Sequence, residues 1–228
     1  WAFVGVVGVL AASIALVARG ARRGLWPFAV AEARYVPLGV LPALVGLVVL
    51  LPLGNATLSG ADGLGWPYLP LLNVFDATQL AAAASPLLLA GLLKAAETRR
   101  LRGLVFALAF IWLSALAARI AHHWGDVPFA AGPLLQSTLF HALLTLLWTV
   151  TALAALILAS RRSLRTAWFG GITLLGIVGA KLLLFDGTGR GTLTWAATLI
   201  GVALLVLAAG YFAPLPPEDR GSPHAEDE

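Results

Sequence analysis

The chain has 228 residues, 60% of them hydrophobic and 11% charged, with a mean hydropathy of +0.90 and a formal charge of +4. A water-soluble domain carries roughly 25% charged residues to keep its surface hydrated, so this composition excludes one, together with disorder and collagen-like repeats. Basic residues fall between apolar runs instead of on one folded face, which argues against nucleic acid as a partner, and the absence of cysteine removes disulfides, thiolate metal sites and cysteine nucleophiles.

A helix needs about 20 apolar residues to cross ~30 Å of hydrocarbon. Runs of that kind predict seven spans within residues 1–211, at 1–18, 35–53, 74–93, 103–121, 134–159, 167–185 and 193–211. They are continuous, rich in Leu and Ala and about twice the length of a barrel strand, so helices are expected and a β-barrel is not. The predicted fold is an all-α integral membrane protein, a polytopic bundle of about seven transmembrane helices in contact with the lipid bilayer. Trp1 already lies inside an apolar run and methionine is absent, so the chain is read as part of a longer protein. Arg19, Arg22 and Arg23 follow the first run, whereas a signal peptide carries its positive charges ahead of one.

Loop charges orient these spans. Arg19, Arg22, Arg23 and Arg34 lie in the first loop, Lys94, Arg99, Arg100 and Arg102 in the third, and Arg161, Arg162 and Arg165 in the fifth, while the alternate loops hold Arg119 and Arg190. By the positive-inside rule the odd loops and the carboxyl terminus are cytoplasmic. Pro42, Pro52 and the pair Ser85-Pro86 mark bends, and each missing amide leaves a carbonyl for a hydroxyl or neighbouring helix to satisfy. The stretch 54–73, with Trp66-Pro67-Tyr68, is expected as an external loop whose aromatics rest at headgroup level. Asn55-Ala56-Thr57 matches a glycosylation acceptor pattern. Residues 212–228, rich in proline and then acidic, form an expected disordered cytoplasmic tail.

Ionisable groups inside spans cost ~2.5–3.5 kcal/mol at the bilayer centre, so each needs a reason. Asp76 and Gln79 stand at the outer start of the third span, Arg119, His122, His123 and Asp126 at the outer end of the fourth, and Lys181 with Asp186 at the outer end of the sixth. His141 lies in the fifth. Asp76, Arg119, His122, His123, His141, Lys181 and Asp186 are therefore the candidates for one outward-facing polar site that takes a lipid or small anionic ligand. Duller roles compete: Asp76 as part of a helix cap begun by Asn73, and Lys181 snorkelling to the interface. Ser137, His141, Thr145 and Thr149 recur every fourth residue and so share a helix face expected to pack inward. Gly176, Gly179 and Ala180 offer a second close-packing surface.

Standard catalytic motifs do not occur, and Gly187-Thr188-Gly189-Arg190-Gly191 lacks the strand and helix of a phosphate loop, so neither cofactor nor metal is expected. The favoured function is non-enzymatic: a transport, lipid-handling or envelope scaffold module. The alternative is a membrane-embedded transferase or hydrolase. In it His122 or His123 serves as general base, oriented by Asp76 or Asp126, while Arg119 and Lys181 hold an anionic head group.

The segments Leu146-Leu147-Trp148, Arg161-Arg162-Ser163-Leu164-Arg165, Ala180-Lys181-Leu182-Leu183-Leu184-Phe185-Asp186 and Gly210-Tyr211-Phe212-Ala213-Pro214-Leu215-Pro216-Pro217 follow one another in an order that resembles a known family. It is similar to the carboxyl-terminal part of the bacterial membrane proteins of the domain of unknown function 2339 family, and Leu71-Leu72-Asn73, Asp76 and the His122-His123 pair also match. The resemblance covers residues 70–217. It implies many spans, a bacterial inner-membrane location and a longer parent chain, but no reaction. Gly187-Thr188 and Trp195 depart from the family pattern, which leaves no basic partner early in the last span.

Overall fold

The computed structural model describes residues 1–60, 67–162 and 164–186, together with eight helical residues between Ala196 and Tyr211. All regular structure among the described residues is helical: α1 (Ala2–Arg22), α2 (Phe28–Thr57), α3 (Val74–Ala84), a 3-10 turn (Ser85–Leu89), α4 (Ala95–Gly125), α5 (Ala131–Gln136), α6 (Thr138–Arg162), α7 (Arg165–Lys181) and a π turn (Leu182–Asp186). Five stretches are long and apolar enough to cross a membrane: Ala2–Arg22, Pro37–Thr57, Ala95–Gly125, Thr138–Arg162 and Arg165–Leu184. The remainder of the seventh expected span and the tail at 212–228 lie outside the described residues.

The third expected span is a broken one. Its α-helix stops after 11 residues, and Ser85–Leu89 continues as a 3-10 turn, so the two pieces together reach roughly 27 Å, close to the hydrocarbon thickness. The break follows from Pro86, which cannot donate an amide to the carbonyl of Ala82 four residues earlier. The Ser85 hydroxyl donates to that carbonyl instead, at 2.9 Å. By contrast α2 passes through Pro37, Pro42 and Pro52 without interruption. α2 and α4, of 30 and 31 residues, measure about 45 Å each and outrun the hydrocarbon, so Arg34, Arg99, Arg100 and Arg102 are helical rather than in loops.

Two compact units divide the chain, 1–140 and 141 onward. In the first, α1 presents Val7, Ile14, Val17 and Ala18 to Val40, Ala43, Leu47 and Leu51 of α2, and the same core takes in Ala82, Ala83, Leu89, Leu101 and Leu108. The α2 residues recur at three- and four-residue steps and Val7, Ile14 and Ala18 at seven and four, which makes one stripe per helix. The opposite faces carry Val9, Leu16, Leu38 and Leu41, all exposed. A helix apolar on both sides is one dissolved in lipid. In the second unit Ala152 and Leu156 of α6 pack on Leu175 of α7, with Trp168 and Leu174 beside them. The helices approach closely at Gly171, where a Cβ would stand 2.8 Å from Leu156 Cγ and 3.2 Å from the Ala152 carbonyl oxygen. Among the described residues nothing lies within 4 Å of a Cβ built at Gly176 or Gly179.

Candidate functional site: a buried carboxylate and guanidinium

Asn73 ends the irregular approach to α3 in an extended conformation and caps the helix, its Oδ1 accepting the Asp76 amide at 2.8 Å. This is the usual service of an asparagine at a helix start. The cap fixes Asp76 in the first turn, and its side chain turns inward: Asp76 is fully buried. Arg119, late in α4, is equally buried and brings Nη2 to 2.8 Å from Asp76 Oδ1. The contact is an ion pair by distance, with the N–H vectors off the hydrogen-bond line.

Other donors complete the carboxylate. Trp112 Nε1, two turns before Arg119 on α4, donates to Oδ1 at 3.3 Å. Tyr68 OH and Asn73 Nδ2 donate to Oδ2 at 2.9 and 2.7 Å, and the Leu71 amide approaches Oδ2 at 3.4 Å. Oδ2 thus accepts from three protein donors, and Oδ1 accepts from Trp112 beside the Arg119 charge, so the whole carboxylate is enclosed by protein groups. Leu71 holds a left-handed backbone, φ 69°, directly beneath, a conformation rare for a residue of its kind.

The guanidinium is enclosed to the same degree. Its Nε donates to Tyr68 OH at 3.3 Å and its Nη1 to Asn55 Oδ1 at 2.9 Å, while the Phe75 ring lies 5.3 Å away, within cation–π range. Asn55 Nδ2 in turn donates to Gln79 Oε1 at 2.6 Å and to the Leu51 carbonyl at 2.9 Å. Among the described residues Gln79 Nε2 has no hydrogen-bond partner, and Arg119 Nη2 has the ion-pair contact with Asp76 but no aligned hydrogen bond. Gly60 closes the wall at φ +88°, where a Cβ would meet Arg119 Cδ and Phe75 Cδ1 at 3.0 Å each, so only glycine meets both requirements. Phe75 and Gly60 also line an apolar cavity of about 370 Å³, with Trp1, Phe3, Leu58 and Val74.

The Tyr68 phenol is held above its ordinary ionisation range, first by burial and then by the negative charge of Asp76, so it remains a proton donor to that carboxylate. Its ring packs with Trp112 and Leu116 and stacks on His123 at 4.4 Å between centroids. His123 Nε2 meets the Ser59 carbonyl at 2.9 Å, and His122 Nδ1 meets the Val127 carbonyl at 2.7 Å. Both rings act as hydrogen-bond donors in these contacts, which assigns a proton to each of those nitrogens. Asp126 is the exposed left-handed residue that ends α4, φ 51°. Neither ring pairs with a carboxylate among the described residues, and no group of His, Asp or Glu there could hold a metal.

The expected candidates thus fall into two groups. Asp76 and Arg119 meet, with His123 against their shared Tyr68 and His122 touching His123 edge-on. His141 and Lys181 belong to the second unit, where Lys181 Nζ donates to Thr145 Oγ1 at 2.8 Å and to the His141 carbonyl at 3.3 Å. Asp186 closes the π turn after α7. Of the four-residue stripe, Ser137 lies just outside α6 and caps it by accepting the Phe140 amide at 3.2 Å, while His141, Thr145 and Thr149 are half-buried along it. Tyr68 is a correction to the expected headgroup aromatics, because it is drawn inside by Asp76. Asn55 is likewise buried with its amide occupied, which removes it as a glycosylation acceptor. Trp112 had no polar signal of its own, although its seven-residue spacing to Arg119 places both on one face.

A family model described as a predicted membrane protein, DUF2339, matches residues 1–216. The chain belongs to this family, and the match extends the resemblance through the first two spans. No curated protein and no solved structure matches it.

Proposed function

We propose that this family member is a non-enzymatic scaffold module of the bacterial inner membrane, with its odd loops and tail cytoplasmic and the Asp76–Arg119 cluster serving as a closed clasp at its outer end. The observation that carries the reading is the enclosure of Asp76: Arg119 and Trp112 face one oxygen, Tyr68 and Asn73 donate to the other, and the side chain is fully buried. A buried group held by donors of its own fold is turned away from a substrate, whereas a catalytic centre needs a base oriented towards an open position. The clasp joins α2, the approach to α3, α3 itself and α4, four parts of the chain that packing in lipid alone would hold weakly, because lipid supplies no hydrophobic drive between helices.

Melting of the purified protein in detergent separates these roles. Asp76→Asn and Arg119→Gln should each lower the melting temperature strongly if the pair is a clasp. Residues kept for binding or chemistry are commonly a burden on stability, so single variants that melt at or above the parent temperature would contradict the proposal. Orientation has its own test. A cysteine replacing Gly132 should react with an impermeant reagent from outside intact cells and one replacing Arg100 should not; the reverse pattern overturns the orientation.

A further inference from the structure

The sequence separates two basic runs by about 70 residues, and the fold brings them to one place. The Arg22 guanidinium, in the last turn of α1, donates to the Leu88 carbonyl of the 3-10 turn. It also stands over Gly91, where a Cβ would lie 3.4 Å from Nη2. From the other direction Thr98 of α4 donates its hydroxyl to the Ala90 carbonyl at 3.2 Å. Both contacts land on the same few residues that follow the Pro86 break. The carboxyl-terminal end of α1, with Arg19, Arg22 and Arg23, and the amino-terminal end of α4, with Lys94, Arg99 and Arg100, thereby share one end of the unit, and all six residues are exposed. Glu97, the acid within the second run, is turned back to accept the Lys94 amide at 3.2 Å.

We infer that this end of the first unit is a binding site for the phosphate headgroup of an anionic lipid. Two features select a lipid over other anions. The cluster sits where the apolar surface ends: Leu16, 70% exposed, is one turn before Arg19, and Phe106, 58% exposed, one turn after Arg102. A lipid on that surface places its phosphate among the arginines while its tails cover the leucines and phenylalanines. Beyond Arg23 a Schellman turn through Gly24, closed by Leu25 N–H on the Gly20 carbonyl at 3.0 Å, presents Trp26 at 82% exposure. An exposed indole beside a basic cluster is the usual occupant of the headgroup layer. Each Lys or Arg at an anionic surface contributes roughly a fivefold gain in affinity, and Glu97, the acid within the second run, is engaged by the Lys94 amide.

Native mass spectrometry of the purified chain in detergent, titrated with phosphatidylglycerol or phosphatidylcholine, tests this. Phosphatidylglycerol should bind and phosphatidylcholine should not. Replacing both Arg99 and Arg100 by Gln should cut phosphatidylglycerol occupancy roughly tenfold or more. The same change at Arg161 and Arg162, an exposed arginine pair ending α6, should leave occupancy intact, which sets the site apart from a general charge effect. Equal losses from the two pairs, no loss from either, or equal binding of phosphatidylcholine overturns the inference. Displacement of the lipid by excess inorganic phosphate that itself stays bound would assign the site to free phosphate and overturn it as well. Lys94→Gln, a single exposed change, repeats the measurement should the Arg99 and Arg100 pair not fold.

Discussion

Asp76, in the first turn of α3, and Arg119, in the last two turns of α4, meet at 2.8 Å with neither side chain exposed. A buried ion pair repays its desolvation only when further hydrogen bonds satisfy the groups around the charges. Here the further bonds come from Tyr68, Asn73, Trp112 and Asn55, so the pair organises its surroundings, and the consequences of disturbing each member differ.

Tyr68 both donates to Asp76 and accepts from Arg119. Tyr68→Phe removes both bonds and should cost about 1–3 kcal/mol. The pH dependence has a definite sign. In the unfolded chain a tyrosine ionises near pH ~10, whereas burial and Asp76 keep the folded phenol protonated well beyond that. Its contribution is complete below about pH 10 and is lost as pH rises further, because the unfolded state then releases a proton that the folded state retains. Unfolding free energies measured from neutral to alkaline pH should fall more steeply for the parent than for Tyr68→Phe.

Asn55 and Gln79 are bonded neighbours with different consequences. Asn55→Leu strips Arg119 Nη1 of its acceptor inside a dry cluster and should destabilise by about 2–5 kcal/mol, the cost of stranding part of a buried charge. Gln79→Leu deletes a side chain whose Nε2 is already unpartnered, and Asn55 Nδ2 keeps the Leu51 carbonyl. The second change should cost less than about 1 kcal/mol. Denaturant titration in a membrane-mimetic detergent compares them directly.

The break in the third span is built from two adjacent residues. Pro86→Ala restores an amide for the Ala82 carbonyl, so α3 should lengthen past Ala84, and hydrogen exchange at residues 86–89 should slow. Ser85→Ala leaves that carbonyl without the hydroxyl that now bonds it and should cost about 1 kcal/mol. Combining the two changes should relieve most of that cost. The hydroxyl is then no longer needed.

In the second unit Gly171→Val pushes a side chain into Leu156, whose Cγ would lie 2.8 Å from the first added carbon. Overpacking of this kind costs about 1–3 kcal/mol. Leu156→Ala in the same chain opens the space, so the double variant should be more stable than the sum of its parts. Thermal unfolding of the four proteins yields the comparison.

Span-forming character was legible because it is a property of composition over about 20 residues, and the family's segment order was legible because it lies in sequence alone. Charge placement singled out Asp76 and Arg119 correctly as unusual, since each is costly in lipid without a partner. The pairing partners were harder to see. Asn55 reads locally as a surface acceptor pattern and Tyr68 as an interfacial aromatic, and only tertiary contact with α4 sets both beside Arg119. Lys181 reads as a snorkelling residue, but in the fold its ammonium meets Thr145 of α6. The change of Ser85–Leu89 from α to 3-10 geometry was half legible: Pro86 announces a bend, and tertiary contacts with α1 and α4 decide its form.

The central claim, that Asp76 and Arg119 form one closed clasp, is tested most directly by a double-mutant cycle of Asp76→Asn and Arg119→Met, with unfolding free energies measured in the same detergent. The account predicts that each single variant loses about 3–5 kcal/mol, because it leaves the other charge buried and unpaired. The double variant, which strands neither charge, should lose clearly less than the two together. Losses that add to within about 0.5 kcal/mol would mean that the residues act independently, and the clasp would be contradicted.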